Sequence, residues 1–212
     1  MREEAIRFGQ NPELEGKWGG PETPHAALVF SHPHPLYGGD MDNNVVRLVC
    51  HHLNRSGVAT LRYNFRGVGG SEGTHDGGAG ECADVEAAIQ EARRRAGNAL
   101  PLFLAGYSFG SFVNWQAAGK PDVFAGEILI SPPLDIPGFR YPPRPSCATP
   151  VLIFLGDRDD FCSLDQGPSL RALAPSVAMQ VFEGVDHFWT GREKALAENI
   201  LGWLSGILTA KK

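Results

Sequence analysis

Residues 106–110 read Gly-Tyr-Ser-Phe-Gly, set between the apolar run "LPLFLA" and a helical pattern that begins at Phe109. A chain that turns sharply from strand into helix forces its turn residue into a strained conformation, and small residues two positions away on each side relieve the crowding. Such a turn lifts the Ser108 hydroxyl to the top of a sheet, beside a helix N-terminus that favours developing negative charge. The chemistry this serves is nucleophilic attack. A glycine-spaced packing turn is the competing explanation, and the strand–turn–helix setting favours the nucleophile.

Serine is a poor nucleophile at its free pKa and needs a base, itself oriented by a third group. Seven histidines compete for that role. His187, in "EGVDHFW", lies between the last strand pattern and the last helix pattern, so it is the expected base. His75, in a glycine-rich loop, is the alternative. His51 and His52 fall in mid-helix, and His25 precedes a strand. For the orienting acid, "GDRDDFCS" offers Asp157, Asp159 and Asp160. Asp157 is placed to brace the turn and Asp159 to reach across to His187, and local spacing leaves the choice open.

The stretch "FSHPHPLYGGD" (30–40) has two readings. His-x-His on an extended chain puts both imidazoles on one face, as a metal site would begin. No spacing nominates Asp40, Asp42 or His75 as further ligands, so no metal is expected. The other reading is a rigid loop that presents backbone donors. Pro33 and Pro35 have no N–H, so any donor must come from His34, Leu36 or Tyr37. "RGVGGSEG" (66–73) has the shape of a dinucleotide fingerprint but the wrong spacing, and it follows the wrong strand, so no nucleotide cofactor is expected. Arg66 is expected to pair with a nearby carboxylate.

These groups need elements to hold them. Strand patterns cover 26–30, 59–65, 100–108, 125–131, 151–157 and 179–185. Helical patterns cover 43–57, 81–97, 109–120, 163–175 and 193–208, and "AIRFG" with "LEGKW" suggests an N-terminal hairpin. The alternation predicts an α/β fold: a mostly parallel central sheet with helices on both faces, its ligand site beyond the carboxyl ends of the strands. With 212 residues, no internal repeat and no dividing linker, residues 1–212 are expected to form one domain.

Composition narrows the function. Net charge is −5 and the basic residues do not cluster beyond "RRR" at 93–95, which argues against nucleic acid. No run is long and apolar enough for a membrane span, and the N-terminus lacks a secretory h-region. Cys50, Cys82, Cys147 and Cys162 lie far apart with no C-x-x-C spacing, so reduced thiols and a cytoplasmic location are expected.

Taken together, "GYSFG", "GDRDDFCS" and "GVDHFW" resemble the α/β-hydrolase superfamily. "SHPHPLYGGDMDNNVV" with "YNFRGVGGSEGTHDGGAGECADV" is similar to a group of small bacterial-type hydrolases within it, over about residue 26 to the end. The resemblance implies Ser108 as nucleophile, His187 as base and Asp159 as acid, because the superfamily's acid lies three residues after the glycine of that turn. It also implies an oxyanion hole from the Phe109 N–H and a second N–H in the His-Pro loop. Aligning His32 and Pro33 with the family's His-Gly points to His34 for the second donor. A proline at that glycine position departs from the pattern and keeps Leu36 as an alternative.

The expected function is therefore a serine hydrolase that cleaves a small ester or thioester through an acyl-enzyme. The connection 131–150 is too short for a helical lid. Tyr37, Tyr107, Phe139 and Tyr141 are the expected pocket residues. The alternatives are a non-catalytic binding module on the same fold, or an acyl transferase or peptidase with the same triad. Both monomer and homodimer are compatible with the sequence.

Overall fold

A computed structural model describes residues 3–118 and 124–210. Eight strands form one sheet: β1 (Glu4–Phe8), β2 (Leu14–Gly19), β3 (Ala26–Ser31), β4 (Val58–Tyr63), β5 (Leu102–Tyr107), β6 (Gly126–Ile130), β7 (Val151–Gly156) and β8 (Val177–Phe182). Their order is β1-β2-β4-β3-β5-β6-β7-β8. The first two make an antiparallel hairpin, and β2 meets β4 antiparallel. From β4 to β8 all neighbours are parallel. This is the expected mostly parallel α/β sheet.

Five helices cover it: α1 (Asn44–Arg55), α2 (Ala79–Ala96), α3 (Phe109–Ala117), α4 (Gly167–Arg171) and α5 (Glu193–Ala210). Side chains alternate across a strand, so each inner strand feeds two cores. Leu28, Phe30, Phe103, Ala105, Ile128 and Ile130 pack with Val45 and Val49 of α1 and with Leu196 and Ile200 of α5. On the other face Ala27, Val29, Leu61, Leu102 and Leu104 pack with Val85 and Ala88 of α2 and with Val113 of α3. Because both faces are covered, the strands read as continuous apolar runs rather than as alternation.

Three elements differ from the sequence reading. The helix expected over 163–175 is a 3-10 turn at Leu164–Gln166 followed by the five-residue α4. Pro168 has no N–H to bond back into the preceding turn, so the two cannot merge. The last strand is Val177–Phe182 rather than 179–185, because Gly184 at φ +70° turns the chain. The end of the helix expected over 109–120 lies outside the described residues.

Since the six strands from β4 to β8 run one way, their carboxyl ends lie along one edge. The segments that leave them there are the His-Pro loop after β3, the glycine-rich loop after β4, Ser108 after β5, Ser131 after β6, Asp157–Asp159 after β7 and His187 after β8. The connection 131–150 contains no helix. Among the described residues no helix is long and apolar enough to cross a membrane.

Candidate active site

Ser108 links β5 to α3 with φ +53° and ψ −119°, a conformation that a non-glycine residue adopts only when its surroundings impose it. The surroundings here are tight. A Cβ on Gly106 would collide with the Gly110 carbonyl, and one on Gly110 would collide with the Ser31 carbonyl. The Ser108 N–H donates to Ile130 O at 2.9 Å, and Ser111 Oγ donates to the Ser108 carbonyl at 2.6 Å. Behind the turn, Ser31 Oγ bonds Asn114 Oδ1 (2.7 Å) and the Tyr63 hydroxyl (2.9 Å), which ties β3 to α3.

His187 Nε2 lies 2.9 Å from Ser108 Oγ, and its Nδ1 lies 2.9 and 3.0 Å from the two oxygens of Asp159. A carboxylate only accepts, so Nδ1 carries the proton and Nε2 is left to accept from the Ser108 hydroxyl. The Tyr107 hydroxyl donates to the His187 carbonyl at 2.7 Å, and the Phe161 ring stands 4.6 Å from the imidazole. Asp159 is buried. Burial alone would raise its pKa, but the hydrogen bond and charge of His187, then the Ser131 hydroxyl and the Phe161 N–H, outweigh it and hold the carboxyl below its usual value. The arrangement lets the imidazole take a proton from the serine hydroxyl while the ionised acid orients the ring.

The neighbouring acids differ. Asp157 is exposed and accepts the Gly184 N–H at 2.7 Å, bracing the turn, and Asp160 is exposed. His75 does not meet Ser108: its Nδ1 is 2.6 Å from Glu81 Oε1, and its ring lies 5.0 Å from that of His34. Arg66 pairs with Asp84 at 2.7 Å.

The His-Pro loop is resolved by its hydrogen bonds. His32 is fully buried, accepts the Phe65 N–H on Nε2 (3.1 Å) and faces the Pro33 carbonyl with Nδ1 (2.6 Å); burial lowers its pKa to about 4. Both nitrogens are therefore engaged. His34 Nδ1 accepts the Leu36 N–H at 3.2 Å, and the Tyr37 N–H goes to the His34 carbonyl at 3.1 Å. Leu36 is thus corrected as an oxyanion donor: its N–H is already committed to His34 Nδ1. Among the described residues, the backbone N–H groups of His34 and Phe109 have no hydrogen-bond acceptor within the protein. No three His, Cys, Asp or Glu side chains converge among the described residues as metal ligands would.

A cavity of about 420 Å³ opens over Ser108. Tyr37, Tyr107 and Phe139 line it, as do Phe109 and His34. Tyr141 does not line it. Its ring is buried beside Phe112 and Trp115, and its hydroxyl bonds Ser111 Oγ at 2.8 Å, so the expectation that it forms a wall is corrected. Ile136, Phe161 and Phe188 also line the cavity, which the sequence reading missed. Phe161 and Phe188 sit two and one residues after Asp159 and His187, a proximity that marks them as neighbours of the chemistry. None of the lining residues carries Lys, Arg, Asp or Glu chemistry.

Comparisons with known proteins place the chain in a family. Residues 24–200 match the model of a family described as "Alpha/beta hydrolase domain". An uncharacterized protein, RP471, of Rickettsia prowazekii (strain Madrid E) is 32% identical over 205 residues, covering 92% of this chain and 86% of the relative. The solved structure of an alpha-beta serine hydrolase homologue from Coxiella burnetii superposes with a TM-score of 0.84 at 31% identity, covering 96% of this chain and 98% of that one. A Xanthomonas campestris structure, XC6422, described as an α/β serine hydrolase without lid, gives a TM-score of 0.78 at 26% identity, covering 93% and 91%. The match across most of the chain makes it a member of the α/β-hydrolase family.

Proposed function

We propose that the protein, with residues 1–212 acting as one domain, is a serine hydrolase of small, uncharged carboxylic esters or thioesters. The observation that carries this reading is the unbroken series Ser108 Oγ–His187–Asp159 at the floor of an aromatic cavity without charged walls. Ser108 attacks the acyl carbonyl while His187 Nε2 takes its proton. The N–H groups of Phe109 and His34 hold the oxyanion, and each such donor is worth about 2.7–4 kcal/mol in the transition state. The imidazolium, steadied by Asp159, protonates the leaving alcohol or thiol. Water then enters, gives a proton to His187 and attacks the acyl-serine, and Ser108 recovers its proton as the acid departs.

Substrate charge follows from the walls. A carboxylate moved from water into an apolar, unpaired site carries a large desolvation cost. Steady-state rates on p-nitrophenyl acetate, butyrate and phenylacetate should therefore exceed those on the monoanionic p-nitrophenyl succinate by at least about tenfold in kcat/KM. Ser108→Ala should remove at least about 10⁴-fold of kcat on all four. Turnover by the wild type on none of them, or undiminished turnover by Ser108→Ala, would contradict the reading.

A further inference from the structure

His187 sits in the connection between β8 and α5, where neither a strand ladder nor a helix fixes the backbone. Among the described residues the carbonyls of His187 and Phe188 receive no backbone N–H. Two side chains from other parts of the chain reach them instead. The Tyr107 hydroxyl donates to the His187 carbonyl at 2.7 Å, and Asn44 Nδ2 donates to the Phe188 carbonyl at 3.3 Å. Asn44 is itself held, because Nδ2 also donates to Glu193 Oε1 at 2.7 Å. A carboxamide nitrogen carries two protons, and each has an acceptor here, which fixes the plane of the amide.

The two donors come from opposite sides of the site. Tyr107 is the last residue of β5, immediately before Ser108, and its buried ring lines the cavity. Burial raises its pKa, and the charges of Asp159 and Asp186 add to that, so the phenol keeps its proton and remains a donor. Asn44 opens α1, one residue past Asn43, which also lines the cavity. Glu193 is buried at the start of α5.

We propose that Tyr107 and Asn44 are positioning residues that hold His187 from two sides, with Glu193 orienting Asn44. The inference rests on the serine-hydrolase reading and adds the support of its base. In that reaction His187 takes a proton from Ser108 and gives it to the leaving group, so its ring must stay within reach of both. Asp159 restrains the ring only at Nδ1. The backbone that carries the ring needs restraint of its own, since a misplacement of about 1 Å costs about 10²-fold in rate. Tyr107 ties that backbone to the residue next to the nucleophile, so base and nucleophile are held in one frame.

The test is steady-state kinetics on p-nitrophenyl acetate, with timed fluorophosphonate labelling, for wild type, Tyr107→Phe, Asn44→Ala and the pair. Tyr107→Phe keeps the ring and removes only the donor. Its kcat should fall about tenfold with KM within about threefold, the scale of one lost hydrogen bond. Labelling should slow by a similar factor and still reach one adduct per chain. A merely structural bond would give a different result: fewer chains labelled, with the folded ones reacting at the wild-type rate. Asn44 is half-buried and supplies an independent variant. Asn44→Ala should lower kcat by about threefold to tenfold, again with full labelling. The pair should be slower than Tyr107→Phe alone, because the two bonds hold neighbouring carbonyls. Wild-type kcat and labelling rate in Tyr107→Phe would overturn the proposal, as would a loss of activity matched by a loss of adduct. A pair no slower than Tyr107→Phe would overturn the part given to Asn44. Either failure would leave turnover and Ser108 labelling in the wild type intact, whereas loss of those would bring down the hydrolase reading itself.

Discussion

Asp159 and Asp157 stand two residues apart on one turn, and burial separates their roles. Asp159 has its side chain out of solvent and receives His187, while Asp157 is exposed and holds Gly184. Asp159→Asn would put an amide where the imidazole needs an ionised acceptor. It should lower kcat on p-nitrophenyl acetate by about 10⁴-fold with little change in KM. Asp157→Asn and Asp160→Asn should stay within about threefold, and a reversed order would move the acid. At this scale Ser108 is legible in sequence because the glycines that permit its turn are local. Asp159 is less so. Its neighbours share its residue type, and the resemblance to a family supplies the choice that spacing does not. Leu36 and Tyr141 show the opposite limit, since each depends on which side chain or N–H reaches a given acceptor first, and only the packed chain determines that.

Among the elements, the connection 131–150 forms part of the cavity without forming a lid. Phe139 lines the cavity, and farther along Arg144 anchors the segment: its guanidinium lies 3.6 Å over the Trp115 ring, bonds the Trp115 carbonyl and reaches Glu127 Oε2 at 2.8 Å. Glu127 on β6 is buried, and among the described residues its other oxygen has no partner. Burial pushes its pKa up to about 7, against the opposing pull of Arg144. A carboxyl raised in the folded state stabilises the fold fully below its ordinary value of 4.5, and that contribution is lost as pH rises through about 7. Glu127→Gln mimics the protonated form. It should melt with wild type near pH 5 and several degrees higher at pH 8. A variant less stable than wild type at pH 8 would mean that the Arg144 attraction outweighs desolvation. This pair is not legible in the sequence, because a Glu in a strand and an Arg in a Pro-rich loop give no signal of meeting. The strands and long helices are legible because burial of both sheet faces produces short apolar runs alternating with amphipathic ones. The short α4 is misread because a helical pattern says nothing of where Gly167 and Pro168 break it.

For the whole molecule, parallel strands bring six separate segments to one edge, and the chemistry arises from that meeting. Residues as distant as His34, Ser108, Asp159 and His187 share one site, and the cavity above them is neutral although the chain carries a net charge of −5. The fold class was readable from the order of elements alone, whereas the composition of the cavity depends on which loops close over the edge. In the proposed reaction Ser108 is the nucleophile, activated within this frame. The most direct measurement is intact-mass and peptide analysis of the folded protein after treatment with a fluorophosphonate. One phosphonyl adduct per chain is expected, carried by the peptide that contains Ser108 and absent from Ser108→Ala and from heat-unfolded protein. An unlabelled folded protein, or an adduct that persists in Ser108→Ala, would contradict it.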